Sequence, residues 1–486
     1  MGAANDVERG RVCRHRLARI ISLSSVMGEF ASRRSSLSRL TYVLSVVLTG
    51  VLFAGQVSDG ARAESLEEAF QWTYEKNPRL LAGRAQLRAV DESVPQALSG
   101  FRPTVSFDNS FTGTNVETDR TESDGPSAGT ALNLRQSLYS GGGTVASVAA
   151  AEESVKAQRA NLLALEQGVF FDVVTAYTST WRDRAVLELA LSNRARIERQ
   201  LQATRDRFRV GDVARTDVAQ AEARLARSES DIEQARAELS ASVAFYRDVV
   251  GAEPGELEDP AAVDGLPETL DAAQELARRN PLVVASEHIV RNSRHRMDVA
   301  AANLWPSLDL TGQLAYTDEP AAGVSWQKKA QIGLQLSVPL YQGGRVYSEV
   351  RQSRQTLTQR QKEYEASLRS VQRSVTTAWE RLLAARAAIV AIESQVRASR
   401  IALNGVQEEA FVGQRTVLDV LDAEQELFQA QTDFVRASSI AVIASYELKS
   451  AIGELTVSGL ELPVVPYDSS SYYDQQRTRL FGIDAE

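Results

Sequence analysis

Two carboxylates, Asp419 and Asp422, stand three residues apart in helix-forming sequence, so a helix carries both on one face. Repeated around a threefold axis they would make two stacked acidic rings, which draw cations to a pore mouth and turn anions away. The plainer reading is the solvated flank of a coiled coil. Other candidate groups carry less. Gly141-Gly142-Gly143 lacks the Gly-Lys-Ser/Thr ending of a phosphate cradle and reads as a strand-to-helix corner. His288 and His295 are seven apart, two helical turns, too far for one metal ion. No Ser–His–Asp pattern, no His-Glu-x-x-His and no cysteine pair occurs, so the sequence offers no catalytic constellation and no cofactor.

The elements that hold these groups follow from composition and pattern. The chain has 486 residues, a net charge of −9 and only six lysines, with no basic face to suggest nucleic acid. Residues 1–63 read as a secretory signal. Arg33, Arg34 and Arg39 precede an apolar run at 40–55, and Ala61-Arg62-Ala63 gives a small-residue cleavage site. Met27 is an alternative start just upstream. A membrane anchor is the competing reading, for which the run is short. Cleavage removes nine Arg and four acids, takes the net charge from −9 to −14, and removes Cys13, the one cysteine. Beyond residue 60 no apolar run reaches the ~18 residues that a helix needs to cross a bilayer.

The remainder is one unit written twice. Asn77-Pro78 recurs as Asn280-Pro281, and Phe101-Arg102-Pro103 as Leu304-Trp305-Pro306, both at an offset of 203. Leu138-Tyr139-Ser140-Gly141-Gly142 recurs as Leu340-Tyr341-Gln342-Gly343-Gly344 at 202. Val210-Gly211 with Asp217-Val218 recurs as Val412-Gly413 with Asp419-Val420, again at 202. An offset held this closely means a duplicated domain. The first copy is 64–265 and the second 266–466; the tail, 467–486, reads as a loose terminus.

No proline falls between Pro126 and Pro254 or between Pro339 and Pro463, in stretches rich in helix formers. Each copy predicts a helix of about 35 residues (66–98 and 270–303), then two strands. A long helix follows, 144–209 or 345–411, spanning ~100 Å. A glycine break at 210–215 or 412–415 sends a second helix back to Gly251 or Gly453. The returning helices carry heptads: Val218, Leu225, Ile232, Leu239, Tyr246, and Val420, Leu427, Phe434, Ala441, Leu448. Val148, Val155, Leu162, Val169 and Ala176 repeat the spacing on the first long helix. This is coiled-coil packing.

The strands alternate with period two. Val105, Phe107 and Phe111 oppose Ser106, Asp108 and Ser110; Ile332, Leu334, Leu336 and Val338 oppose Gln331, Gly333, Gln335 and Ser337. Strands of roughly 10–13 residues cross a bilayer when tilted. A soluble sandwich shows the same alternation, but helices this long cannot cover the apolar face. Tyr139, Tyr341 and Trp326 fall near strand ends, where interfacial aromatics sit. Four strands cannot close a barrel, and an open edge in lipid is forbidden; three chains would supply twelve. The expected fold is an α+β membrane protein. A long α-helical coiled-coil barrel is continuous with a transmembrane β-barrel shared by a trimer, four strands per chain, internally duplicated.

These features resemble one family. The duplicated halves, the Leu-Tyr-x-Gly-Gly corner and the segments 210–218 and 412–422 are similar to those of TolC-type outer-membrane efflux proteins, over residues 64–466. The resemblance implies a homotrimer in the Gram-negative outer membrane, with its helical barrel in the periplasm. It implies a passive exit duct of a tripartite efflux or type I secretion system, carrying drugs, toxins or proteins. The implied partners are a periplasmic adaptor (membrane fusion protein), an inner-membrane pump of RND or ABC type, and outer-membrane lipid. Position by position, Asp419 and Asp422 match the acidic rings of the periplasmic gate, and Arg415 and Asp217 the links that hold it shut. Val210, Gly211, Val218, Val412, Gly413, Thr416 and Val420 fall on the adaptor-docking tip. Ala410 departs from the family pattern, where a Tyr precedes the tip glycine by three residues. The competing class is a periplasmic coiled-coil adaptor, which has one hairpin where this chain has two.

Overall fold

A computed structural model describes residues 64–117, 119, 122–321 and 324–483. The expected signal segment, 1–63, lies outside the described residues.

The first copy opens with α1 (Leu66–Lys76), α2 (Pro78–Asp91) and α3 (Ser93–Leu98), then a 3-10 turn into β1. The expectation of one helix over 66–98 is corrected by Asn77-Pro78. Proline supplies no N–H and pushes the residue before it out of the helical region, so Asn77 sits at φ −64°, ψ 123°. Its side chain makes use of the break. Oδ1 accepts from the Arg79 N–H at 2.9 Å, and Nδ2 donates to the Val249 carbonyl at 2.7 Å. The second copy breaks likewise, between α6 (Leu270–Ala277) and α7 (Pro281–Ala302). There Asn280 accepts from Leu282 N–H at 3.0 Å and donates to the Ala451 carbonyl at 3.0 Å. The repeated Asn-Pro is a pin tying the short helices to the foot of the returning helix.

β1 (Thr104–Glu117), β2 (Glu122–Ser140), β3 (Ser307–Ala321) and β4 (Val324–Ser337) form one antiparallel sheet in that order. The strands run 14–19 residues, longer than expected, because polar segments extend beyond the apolar band. The register aligns apolar positions across all four strands. Phe107 meets Leu132, which meets Leu314; Leu310 meets Leu334, and Leu308 meets Leu336. Phe107, Phe111, Leu314, Ile332 and Leu334 are all exposed. The opposite face is polar and cross-linked. Arg135 pairs with Asp309 at 3.1 Å, Asn133 Nδ2 donates to Asp108 at 2.7 Å, and Gln313 Nε2 donates to Asn133 at 3.0 Å. From Leu336 to Trp326 the apolar face covers ~33 Å along the strand, or ~25 Å once tilted, the height of a bilayer's apolar core, with Lys328 set against the Trp326 ring at its far rim.

Gly142 and Gly344, at φ 83° and 82°, turn the chain into α4 (Gly143–Arg209) and α8 (Arg345–Phe411), each of 67 residues. Their returning partners are α5 (Arg215–Val250) and α9 (Val417–Ala451). The heptad positions pack as expected: Val155, Leu162, Val169, Ala176, Ile232, Tyr246, Leu427 and Leu448 are buried. The main core sits where the short helices meet the long ones, around Phe70, Phe170, Tyr177 and Tyr246, with the Phe70 and Phe170 rings 5.0 Å apart. No described helix is long and apolar enough to cross a membrane.

From Tyr467 to Arg479 the C-terminal tail is docked rather than loose. It forms α10 (Ser471–Gln476), and its hydroxyls and arginines find carboxylates and carbonyls on the helices beneath. Tyr472 donates to Glu92 at 2.7 Å, Arg477 to Glu152 at 2.9 Å, and Tyr467 N–H to the Tyr74 hydroxyl at 2.8 Å. Its Ser and Tyr content is a set of hydrogen-bonding anchors.

Candidate functional site: the hairpin tips

Each long helix ends in the same turn. Gly211 and Gly413 adopt φ 85° and 81°, a backbone that side-chain-bearing residues rarely take. In the first copy Asp212 N–H reaches back to the Arg207 carbonyl at 3.0 Å; in the second Gln414 N–H reaches the Glu409 carbonyl at 2.9 Å. These bonds satisfy the last carbonyls of the helix. An ion pair then straps each turn. Arg207 meets Asp212 at 2.6 Å in the first copy, and Arg415 Nε meets Glu409 at 2.7 Å in the second, with the charges reversed.

The next helix starts on an acid. Asp419 Oδ2 accepts from Thr416 N–H at 2.9 Å and from its hydroxyl at 2.8 Å, while Asp419 N–H donates to Thr416 Oγ1 at 3.3 Å. These bonds, helped by Arg415, hold the Asp419 carboxyl below its ordinary range. Asp217 closes the first copy more weakly, accepting from Ala214 N–H at 3.0 Å, since alanine has no hydroxyl to return the bond. Within the chain Arg415 and Asp217 do not meet. Arg415 is taken by Glu409, which lies across its own turn, and Asp217 caps its own helix.

Asp422 is held from the other hairpin, by the Arg224 guanidinium on α5. Beside this pair, Leu201, Ala221, Val417 and Leu421 form a buried apolar cluster joining the hairpins, with Val213, Val218 and Leu225 packed against it. A turn further in, burial raises the Glu424 carboxyl against the pull of Arg196 and Arg199. Ala190, Ile232 and Phe428 close the seam beyond.

The residues expected at the tip divide in two. Val420 is buried and Val218 packs into the seam, so both position the hairpins. Val210, Gly211, Val412, Gly413 and Thr416 face solvent, Val210 with 81% of its surface exposed. Sequence reasoning missed Phe208 and Phe411, the latter 89% exposed beside Val412. The signal was available: an aromatic in the last turn of an otherwise polar helix. Arg224, Glu409 and Glu424 were missed too. His288, set aside as a metal ligand, is mostly buried and pairs with Glu153 at 2.7 Å. Among the described residues no cluster of His, Cys, Asp or Glu could hold a metal ion.

Comparisons with known proteins accord with this geometry. The profile of the family described as "Outer membrane efflux protein" matches residues 71–251 and again 272–454, once for each copy. The Brucella suis outer membrane efflux protein BepC is 34% identical over 442 residues, covering 90% of this chain and 95% of that protein. Outer membrane protein TolC of Vibrio cholerae is 29% identical over 412 residues, covering 83% and 93%. In structure, the Campylobacter jejuni CmeC outer membrane channel superposes with a TM-score of 0.73 at 16% identity, over 85% of this chain and 89% of that one. The fold is thus that of these channels, a long helical barrel continuous with a four-strand share of a trimeric transmembrane β-barrel. With matched halves, a lipid-height sheet and twin solvent-facing tips, the chain belongs to the outer membrane efflux protein family, the transport channels that give exported substrates their exit across the Gram-negative outer membrane.

Proposed function

We propose that the chain works as a homotrimer whose solvent-facing tips receive a periplasmic adaptor, with an inner-membrane pump of RND or ABC type supplying the energy. Transport through the duct is passive. The observation that carries this reading is the sheet. β1 and β4 are its two edges, and an unpaired edge cannot stand in lipid, so β1 of one chain pairs with β4 of the next. The same rotation brings six hairpins side by side, with Asp419 and Asp422 of three of them around the axis as the periplasmic gate.

One relative in Pseudomonas aeruginosa is named for alkaline protease secretion and another for pyoverdine export, which supports a duct open to cargo of either kind. Exposed Val210, Phe411 and Val412 give the tips an apolar contact suited to another coiled coil. Photocrosslinking in cells from Val210 and Val412 should capture a periplasmic coiled-coil protein. Mass measured in detergent should give three mature chains. A membrane-inserted monomer, or tips that capture nothing while export proceeds, would overturn the proposal.

A further inference from the structure

The apolar band of the sheet ends, on the helix side, at Val105, Leu308 and Leu336. Three residues before Val105 stands Arg102, whose Nη1 donates to the Arg479 carbonyl at 3.1 Å. The C-terminal strap is therefore fastened where strands meet helices. Its lower fastenings are Tyr472 on Glu92 and Arg477 on Glu152. Glu152 lies ten residues into α4, or ~14 Å below the sheet at the rise of a helix. From Tyr472 to Arg479 the strap thus climbs toward the barrel.

Beyond Arg479 the composition changes. Residues 468–479 hold only two apolar-bodied side chains, Tyr472 and Tyr473, and both rings are occupied. Tyr472 bonds Glu92, and Tyr473 lies under the Arg159 and Arg477 guanidinium groups. Leu480, Phe481 and Ile483 follow, all exposed, Phe481 at 88%. Large apolar side chains gathered at an exposed end mark a contact. The level of this one is set by its neighbours. Phe101 and Trp305, equivalent to within one position in the two copies, are exposed at the same junction, and Tyr139 and Tyr341 stand exposed at the strand feet. Exposed at this level, these aromatic and aliphatic side chains would extend the apolar face of the sheet downward as a collar. Such groups favour the boundary between headgroups and acyl chains.

We infer that Leu480, Phe481 and Ile483 form a membrane foot, inserted in the phospholipid leaflet at the helix-side rim of the barrel. The strap then ties the bilayer to the core of the helical domain and sets the depth at which the barrel sits. The inference rests on the reading of the sheet as membrane-spanning, and its test carries a control for that reading.

The mature chain has no cysteine, so single labels are clean. Phe481→Cys in the full mature chain, carrying a nitroxide, would be reconstituted in vesicles of phosphatidylethanolamine and phosphatidylglycerol. Electron paramagnetic resonance would compare collisions with oxygen, which concentrates in lipid, and with a water-soluble nickel chelate. The oxygen-to-nickel ratio should be several-fold higher at 481 than at Gln475→Cys, an exposed position on α10. Ile332→Cys, on the apolar face of β4, should share the high ratio. Equal ratios at 481 and 475 would overturn the foot, as would shielding of 481 from both reagents, which means that a neighbouring copy covers it. A low ratio at Ile332 would remove the barrel reading and the foot together, whereas a high ratio there with a low one at 481 removes the foot alone.

Discussion

Deleting the guanidinium of Arg224 asks whether charge, and not only apolar packing, holds the two hairpins of a chain together. The pair with Asp422 is partly exposed, 26% for the Arg224 side chain and 55% for Asp422, so its contribution is set by solvent screening. Pairs of this exposure contribute about 1 kcal/mol or less. Three copies around a trimer axis give at most ~3 kcal/mol, which moves a closed-to-open equilibrium by roughly a hundredfold. Arg224→Ala should therefore raise resting conductance in planar bilayers without reducing trimer yield. It should also raise cation selectivity, because Asp422 loses its counter-charge. High salt should narrow the difference from wild type, since screening weakens the pair already. The exchange of Arg224→Asp with Asp422→Arg should bring resting conductance back toward wild type, while Arg224→Ala with Asp422→Ala should add little to the single change. Wild-type conductance and selectivity in Arg224→Ala would refute the latch, and so would full additivity in the double variant.

Arg415→Ser should raise resting conductance by loosening its own turn. Glu409→Ala should add little to it and Asp217→Ala should add in full; the reverse pattern would place an Arg415–Asp217 link between neighbouring chains. Gly211→Val or Gly413→Val should abolish export while leaving trimer level intact. Nothing lies within 4 Å of a Cβ built at either site, so the cost is backbone strain alone, ~1–2 kcal/mol per site, and loss of the protein itself would contradict this. Burial raises the Asp91 carboxyl from 3.8 to about 6. A raised acid favours the folded chain when protonated, so that contribution is complete below pH 3.8 and is lost as pH rises through about 6. Infrared difference spectra should show a carboxyl titrating near 6 that vanishes in Asp91→Asn. Asn77→Ala removes a buried bond to the Val249 carbonyl and should cost about 1–3 kcal/mol, read as a lower temperature of trimer dissociation.

What the sequence made legible was one-dimensional. Period two gave the strands and their apolar face, period seven gave the packed helices, and an offset near 202 gave the duplication. The misreadings share a cause, since each depends on how segments meet in space. Asn77-Pro78 was visible as a repeat landmark, yet helix formers on both sides hid the break that its proline imposes. The tail read as loose because its hydroxyls have value only against Glu92 and Tyr74, hundreds of residues away. The ion partners at the tips were hidden by stagger. Arg224 lies thirteen residues past Gly211 and Asp422 nine past Gly413, a difference of ~6 Å in height that an arginine side chain spans.

That stagger also explains why duplicated hairpins need not be equivalent. The backbone repeats closely, with both tip glycines left-handed and both following helices started by an aspartate. The charges do not repeat. The position matching Asp422 in the first copy is Gln220, and the one matching Arg224 in the second is Glu426. Exchanging the copies therefore cannot rebuild the Arg224–Asp422 pair. In the proposed ring of six hairpins this latch would close the seam inside each chain and not the seam between chains. The acidic pair likewise falls on alternate hairpins only. In the proposed trimer a sixfold backbone would thus carry a threefold charge pattern, and crosslinks placed across the seams between chains should block opening more strongly than crosslinks across the seam that Arg224 and Asp422 close; equal block at both would refute this.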